Sequence, residues 1–396
     1  MSELPAPKGF LVAAAAAGIR KQGDDVALIV SEIPAVAAGA TTRNRFFSPP
    51  VQVTRECLER GKLRGIVVNA KNANAATGAR GLKDARAMAA YAAKAVGAAP
   101  EEMAVASTGV IGQFLPMDKI RKAVDEAAGK LSPDGWSAAA RAIMTTDTYP
   151  KEAARLIKLG KTPVAMRAIA KGVGMVHPMM GTVLSFAATD ANIALPQLRS
   201  IVKQAVGITF NAVTVDGDTS TSDTLIVMAN GASGGPRIAR GSKEEAKFAA
   251  ALTDMLRELA MHLARDGEGA TKMMEVTVTG ARTEAEALEA ARKVASSNLL
   301  KCAINGCDAN WGRVAAALGN STAVFDQANV AIKILGVPVM RKGLPVVYDE
   351  PALQAEMARQ KTIPIEANLG AGKAKATAWG SDLSVEYIKI NADYRT

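Results

Sequence analysis

The stretch Lys171-Gly-Val-Gly-Met-Val-His-Pro-Met-Met-Gly-Thr-Val-Leu-Ser-Phe-Ala-Ala-Thr-Asp190 lies near the middle of this 396-residue chain. Glycine and proline break its first part, and an apolar run typical of a buried strand begins directly after Thr182. If the bond between Gly181 and Thr182 is cut, Thr182 becomes a new N-terminus with a nucleophilic hydroxyl and an amine that can act as its base. That amine would have a pKa of about 7.7–8, close to working pH. The alternative is an ordinary turn that enters a buried strand.

Several longer sequence motifs, called words below, surround this stretch and occur in a characteristic order along the chain. They are Ala106-Ser-Thr-Gly-Val-Ile-Gly112, Ile143-Met-Thr-Thr-Asp-Thr148, Lys171-Gly-Val-Gly-Met175, Phe186-Ala-Ala-Thr-Asp190, Phe210-Asn-Ala-Val-Thr-Val-Asp-Gly-Asp-Thr-Ser-Thr-Ser-Asp223, Asp266-Gly-Glu-Gly-Ala-Thr-Lys272, Cys307-Asp-Ala-Asn-Trp-Gly-Arg313 and Lys389-Ile-Asn-Ala-Asp-Tyr-Arg-Thr396. With these words the chain resembles the ornithine acetyltransferase family, the bifunctional glutamate N-acetyltransferases of arginine biosynthesis. The resemblance runs from Pro7 to Thr396.

The resemblance implies a fold, a processing step and a set of site residues. The expected fold class is α/β, an α+β layered sandwich of the N-terminal-nucleophile type with Thr182 at the start of a central strand. Self-cleavage would leave two chains, residues 1–181 and residues 182–396, that stay packed together. The positions that match the family's functional residues are Thr108 and Gly109 for the oxyanion hole, Thr182 for the nucleophile, Gly181 and Thr182 for the cleavage site, and Thr145, Lys171, Thr182, Glu268, Asn391 and Thr396 for substrate binding.

Two positions depart from the family pattern. The family usually has Ala where this chain has Gly181, in the run Met179-Met-Gly-Thr-Val-Leu184. It also prefers a small residue at Lys71, which here interrupts Asn69-Ala-Lys-Asn-Ala-Asn74. The first difference concerns the rate of cleavage and the second the local shape of the cleft. Neither removes the nucleophile.

Three motifs have chemical interpretations independent of the family. Thr108 and Gly109 end a predicted strand, so their backbone N–H groups and the Thr108 hydroxyl suit an oxyanion hole, although a plain turn is the alternative. Glu268 stands between two glycines after a helix and could bind the ornithine ammonium, or simply belong to a helix end. The run that begins at Asp216 starts like a calcium loop but has Thr221 at the sixth position, where that loop requires glycine, so we expect a hydrogen-bonded turn near the site.

Composition argues against other classes of protein. Three cysteines, an odd number, indicate a reducing cytosol, and we expect a cytoplasmic protein. The spacing of Cys302 and Cys307 does not predict a zinc site, and two histidines are too few for a histidine-based metal cluster, so no metal or cofactor is predicted. The net charge of +10 comes from scattered residues, which favours carboxylate substrates over nucleic acid. No apolar run reaches the roughly 18 residues that span a membrane.

Hydrophobic periodicity predicts strands that alternate with helices. Strands are predicted at 26–30, 65–68, 104–107, 183–187, 208–215, 225–229, 275–278, 330–335 and 346–348, with a strand and turn over 10–18. A helix is predicted at 81–98, and the capping words Ser242-Lys-Glu-Glu245 and Thr283-Glu-Ala-Glu286 open two more, the first of which reaches Arg265.

The leading hypothesis is an acyltransferase that works by a ping-pong route. Thr182 would attack the acetyl group of N-acetylornithine, ornithine would leave, and glutamate would collect the acetyl group from the ester. The resemblance leaves open whether acetyl-CoA also serves as a donor, and it implies that two or more processed pairs assemble. Two other classes stay in view: an N-terminal-nucleophile aminopeptidase in which water resolves the acyl-enzyme, and an uncleaved binding protein.

Overall fold

A computed structural model of the chain describes residues 4–177 and 183–393. The strands are β1 Phe10–Ala15, β2 Val26–Thr41, β3 Lys62–Asn69, β4 Met103–Ser107, β5 Lys151–Leu159, β6 Thr162–Lys171, β7 Leu184–Thr189, β8 Val213–Thr214, β9 Thr224–Ala229, β10 Met273–Ala281, β11 Ala331–Ile334, β12 Val337–Arg341, β13 Leu344–Pro345, β14 Thr362–Asn368 and β15 Ala374–Ser381. The helices are α1 Pro49–Arg60, α2 Gly78–Val96, α3 Met117–Ala128, α4 Trp136–Ala142, α5 Leu195–Ile208, α6 Lys243–Arg265, α7 Glu284–Ala295, α8 Asn298–Asn305, α9 Trp311–Gly319, α10 Glu350–Arg359 and α11 Val385–Asp393. Within these described ranges, no helix has the length and apolar content that a bilayer crossing requires.

The described strands form two sheets. The first, of eight strands, has the order β4-β3-β2-β9-β7-β6-β5, with β1 paired to β2 outside this path. The second, of seven strands, has the order β13-β12-β11-β14-β10-β15-β8. In the first sheet β7 lies between β6, to which it is antiparallel, and β9, to which it is parallel. Strand β7 is therefore central, as the family resemblance implies for the strand after Thr182.

Helices fill the layers between and outside the sheets. Helix α6 packs on β5 and β6 of the first sheet and on β8 and β15 of the second, while α7 covers β10 and β15. One large apolar cluster runs through this interface and joins the two sheets into a common core. A second cluster surrounds Trp136 of α4 on the other face of the first sheet. These layers confirm the predicted α/β sandwich.

The first sheet curls strongly. Neighbouring strands lie about 4.8 Å apart, so in a flat sheet β4 and β6 would be separated by roughly 24 Å. Instead, the ammonium of Lys171, the last residue of β6, lies 3.1 Å from the hydroxyl of Thr108, the residue after β4. The register of β2 against β3 shifts between Val30 and Ala35, an irregularity of the kind that bends strands. The curl brings the ends of distant strands together around a cleft.

Most predicted elements are confirmed, and two are wrong. Ser242 and Thr283 cap α6 and α7 by accepting the N–H groups of Glu245 and Glu286, as their words predict. The strand predicted at 208–215 is wrong, because α5 extends to Ile208 and a 3₁₀ turn follows, which leaves only the two residues of β8. The strand predicted at 346–348 is also wrong, since the nearby pairing involves β13 instead.

Candidate active site

A cleft opens where the curled first sheet meets the loops after β3, β4 and α6. Its lining residues are Ala73, Thr108, Gly109, Ile111, Thr145, Thr146, Lys171, Gly174, Met175, Ser220, Thr221, Ser222, Glu268 and Asn391. All the predicted site residues that the structure describes are among them. Gly181, Thr182 and Thr396 lie outside the described residues.

The Thr108–Gly109 turn follows β4 directly. Gly109 has a φ of 130°, and a Cβ on it would lie 2.2 Å from the carbonyl carbon of Lys71, so glycine is required by the close approach of two backbones. The N–H of Thr108 donates to the Asn69 carbonyl at 3.1 Å and is not free for an oxyanion, contrary to the expectation from sequence. The oxyanion donors that this turn can offer are therefore the Thr108 hydroxyl and the Gly109 N–H.

Lys171 is the last residue of β6 and is 1% exposed. Its ammonium donates to the Thr108 hydroxyl oxygen at 3.1 Å. Burial lowers the pKa of Lys171, and the nearby Asp147 carboxylate opposes that effect. A buried cation thus lies beside the proposed oxyanion donor.

A chain of buried charges supports Lys171 and the adjacent loop. Asp147 accepts the N–H groups of Gly172 at 3.0 Å and Thr145 at 3.1 Å, and it pairs with Lys151 at 2.8 Å. Lys151 also pairs with Asp266 at 2.6 Å. Burial alone would raise the pKa of Asp147, but the ammonium groups of Lys171 and Lys151 hold it below its ordinary value.

This network was not predicted from sequence. Asp147 and Asp266 stand inside words that the family resemblance identifies, yet their pairing through Lys151 joins residues more than 100 positions apart. In the sequence, the clue to this network is the presence of Asp147 and Asp266 within those family motifs.

The Glu268 carboxylate is held from several sides. Thr146 donates its hydroxyl to Oε1 at 2.7 Å, and the amide of Asn391 on α11 donates to Oε2 at 2.9 Å. A Cβ at Gly174 would lie 2.5 Å from Oε2, so the glycine of the Lys171-Gly-Val-Gly word makes room for this carboxylate. Glu268 is half-buried at the cleft.

Two carboxyls, the half-buried Asp216 and the buried Asp223, fix the backbone on either side of residues 178–182. Asp216 accepts the N–H groups of Met175 at 2.6 Å and Val176 at 3.0 Å. Asp223 accepts the N–H of Val183 at 2.8 Å, and burial raises its pKa well above the ordinary value. The prediction of a hydrogen-bonded turn near the site is confirmed, because the run from Asp216 to Asp223 contributes its middle residues to the cleft.

Lys71, the departure from the family pattern, has a φ of 72° and donates from its ammonium to the Thr145 carbonyl at 2.6 Å. Its ammonium thus reaches the loop that carries Thr145, next to the cleft.

Known proteins resemble this chain over almost its whole length. The model of the ArgJ family matches residues 11–396. The chain belongs to the ArgJ family. It is 50% identical over 394 residues to "Arginine biosynthesis bifunctional protein ArgJ" of Symbiobacterium thermophilum, covering 99% of this chain and 98% of that relative. It is 46% identical over 403 residues to the protein of the same name from Rhizobium meliloti, covering 100% and 97%.

A crystal structure described as arginine biosynthesis bifunctional protein argJ from Bacillus halodurans superposes with a TM-score of 0.51 at 39% identity. The match covers 52% of this chain and 96% of that chain. Membership of the ArgJ family confirms the predicted family of acetyltransferases in arginine biosynthesis.

Proposed function

We propose that the chain cuts itself between Gly181 and Thr182 and then transfers the acetyl group of N-acetylornithine to glutamate through an acetyl-Thr182 ester. The observation that carries this proposal is the convergence of Thr108, Lys171 and Glu268, from three separate segments, on one cleft. Strand β7 enters the sheet there, since its first residue, Leu184, pairs with Lys171. Val183 is tied at the same place by Asp223.

The length of the related crystal structure supports processing into two chains. The Bacillus halodurans chain is almost fully covered by a match to about half of this chain. Relatives of the same name are instead matched along 97–98% of a full-length sequence. A half-length chain in a crystal is expected if members of the family are cut near the middle. The proposed products here are residues 1–181 and 182–396.

Self-cleavage is an acyl shift followed by hydrolysis. The Thr182 hydroxyl attacks the Gly181 carbonyl carbon, and the C–N bond breaks as the nitrogen takes up the hydroxyl proton. Water then hydrolyses the Gly181 ester, which leaves a carboxylate on Gly181 and a free amine and hydroxyl on Thr182. The amine becomes the base for the transfer reaction.

Acetyl transfer uses the same hydroxyl twice. The Thr182 oxygen attacks the acetyl carbonyl of N-acetylornithine while the amine accepts its proton, and the oxyanion is stabilised by the Thr108 hydroxyl and the Gly109 N–H. The proton then passes to the departing nitrogen, which releases ornithine and leaves acetyl-Thr182. Glutamate reverses these steps with its own amine and leaves as N-acetylglutamate. Each oxyanion donor of this kind typically contributes about 10²–10³ in rate.

The remaining cleft residues are proposed to bind the amino-acid part of the substrates. Glu268 carries the negative charge that an ornithine ammonium requires, and Lys171 supplies a cation. Thr145 and Asn391 add hydrogen-bonding groups, and Thr396 is proposed to join them. Two processed pairs or more are proposed to assemble, which light scattering of the cleaved protein tests.

Labelled N-acetylornithine tests the transfer. With glutamate present, the label should appear on glutamate; with acceptor withheld, it should be trapped on the peptide that begins at Thr182. The rate should rise with pH through about 7–8 as the Thr182 amine loses its proton. Label released chiefly as acetate at saturating glutamate would favour the aminopeptidase-type hydrolase. Labelled acetyl-CoA in place of N-acetylornithine tests the second donor.

A further inference from the structure

The buried charges behind the cleft have no part in the acyl transfer as written above. Lys151 is completely buried between the carboxylates of Asp147 and Asp266, at 2.8 Å and 2.6 Å. Burying an ion pair removes both charges from water, and this desolvation cost can exceed the attraction between them. Stability alone is therefore a weak explanation for these buried charges. Their position next to the cleft suggests a functional reason.

Asp147 connects this charge pair to the cleft. One of its oxygens, Oδ1, accepts both the Lys151 ammonium and the N–H of Gly172, the residue after Lys171. The other oxygen accepts the N–H of Thr145. Asp147 therefore fixes the end of β6 and the Thr145 loop at the same time.

Lys171 in turn contacts the oxyanion turn. Its ammonium donates to the Thr108 oxygen, so the Thr108 hydroxyl hydrogen is left to point at another acceptor. An ammonium that donates to a hydroxyl oxygen polarises the O–H bond and strengthens it as a donor. This effect requires Lys171 to be protonated in a buried position, where the charge must be stabilised by a nearby carboxylate.

We propose that Asp147 is a positioning residue that acts through Lys171 on the Thr108 hydroxyl and so strengthens the oxyanion hole. The proposal rests on the proposed function of Thr108. It assigns Lys171 an effect on the transition state, in addition to any contact with the substrate carboxylate. The Lys151–Asp266 pair fixes the other side of Asp147.

Several charged groups act on Lys171 from the elements packed around it. They are Asp147, Lys151, Lys71 and Asp223, with Glu268 across the cleft. Asp147 and Asp223 raise the pKa of Lys171, whereas burial, Lys151 and Lys71 lower it. Asp147→Asn should therefore lower the pKa of Lys171, and Lys151→Met should raise it.

The test measures kcat and KM for acetyl transfer between about pH 6 and pH 10. If protonated Lys171 is needed, kcat falls as pH rises through its pKa. In Asp147→Asn this alkaline fall of kcat should move to lower pH by about one unit, and kcat at pH 8 should drop by about tenfold. In Lys151→Met the alkaline fall should move in the opposite direction.

Two further variants separate this effect from general damage. Glu258→Gln removes a carboxylate that pairs with Arg155 on the same strand as Lys151, but on the protein surface, and should leave the pH profile unchanged. In the double variant Asp147→Asn with Thr108→Val, the loss of kcat should be no larger than in Thr108→Val alone, because both changes act on one group.

An unchanged kcat profile in both Asp147→Asn and Lys151→Met would overturn the proposal, and so would a rise in KM alone. Opposite shifts of the alkaline fall, together with the non-additive double variant, would support it. Lys151→Met keeps the test valid if Asp147→Asn does not fold. Failure of the proposed function is distinguishable, because it would be seen in the wild-type protein as the absence of labelled Thr182.

Discussion

The two sheets differ in how they relate to the proposed cut. The second sheet is built entirely from strands after residue 182 and stays within one chain. In the first sheet, β7 and β9 from the second half lie between β2 and β6 from the first half. The proposed cut would therefore leave the second sheet covalently continuous and make the first sheet an assembly of two chains. The halves share backbone hydrogen bonds along two strand pairs, β2 with β9 and β6 with β7, so the proposed cut would expose Thr182 while the two chains stay paired.

The site follows the same division. Thr108, Thr145 and Lys171 come from the first half, whereas Glu268 and Asn391 come from the second. The Lys151–Asp266 pair also crosses between the halves, deep under the cleft. The two halves therefore meet both within the first sheet and at the candidate site.

The largest expected effect comes from Thr182→Ala. This variant should stay a single chain and lose at least about 10⁴-fold in kcat, because the same hydroxyl is needed for the cut and for transfer. Intact mass and the labelled-acetyl assay measure the two outcomes. Thr182→Ser should retain weak cleavage, since it keeps the oxygen. Thr322→Ala, an exposed threonine next to the second sheet, is the control and should be cut normally. A normally split Thr182→Ala would contradict self-cleavage.

The second prediction compares two ion pairs that join β5 to the α6 region. Asp266→Asn breaks the buried pair with Lys151 and should lower the free energy of unfolding by about 3 kcal/mol. Glu258→Gln breaks the surface pair with Arg155 at 2.7 Å, with Glu258 40% exposed, and should cost less than about 1 kcal/mol. Denaturant titration of both cleaved proteins measures the difference. Equal losses of unfolding free energy would show that the buried pair holds the two halves together no better than the surface pair does.

A third prediction concerns α11, the helix of the second half that brings Asn391 to the cleft. Asn391→Ala removes the hydrogen bond to Glu268 and should lower kcat/KM for N-acetylornithine by about tenfold, the effect of one bond to a charged group. Removal of residues 393–396 should lower it at least as much and leave cleavage intact. Lys389→Ala, exposed on the same helix, is the control. Unchanged kinetics in both cleaved variants would mean that α11 does not serve the site.

The smallest expected effect is a dependence of stability on protein concentration. Unfolding a cleaved protein separates two chains, so tenfold dilution should lower the apparent free energy of unfolding by about 1.4 kcal/mol. In the uncut Thr182→Ala protein the two halves stay covalently joined, so their separation should add no dependence of the unfolding free energy on dilution. If the cleaved protein has a midpoint that does not change with dilution, the first sheet does not dissociate when it unfolds.

Local signals in the sequence were sufficient for much of the fold. Ser242 and Thr283 could be assigned as caps because a cap depends on residues only three positions away. The strand predicted at 208–215 failed because a short apolar run does not distinguish a buried strand from the end of a buried helix. Here Ile208 ends α5, and only Val213 and Thr214 pair with a neighbouring strand.

Residues of the candidate site could be predicted only where they lie within a sequence motif of the family. Thr108, Lys171 and Glu268 stand in such words, and the structure places them together. Lys151 has no word of its own, and its partners are set by tertiary packing across the two halves. The Thr108 N–H donates to the Asn69 carbonyl and so cannot serve as an oxyanion donor. This hydrogen bond likewise depends on how β3 and β4 end side by side, which hydrophobic periodicity cannot show.

The curl of the first sheet has a consequence for the order of events during maturation. Thr108 and Lys171 meet only after the curled sheet has brought the ends of β4 and β6 together, a contact of long sequence separation that forms slowly. If the same oxyanion hole also stabilises the oxyanion that forms at Gly181 during the proposed cut, a chain with an open sheet cannot cut itself. Cleavage would then occur only in a chain whose first sheet has folded completely. Because the reaction is intramolecular, its rate would be independent of protein concentration.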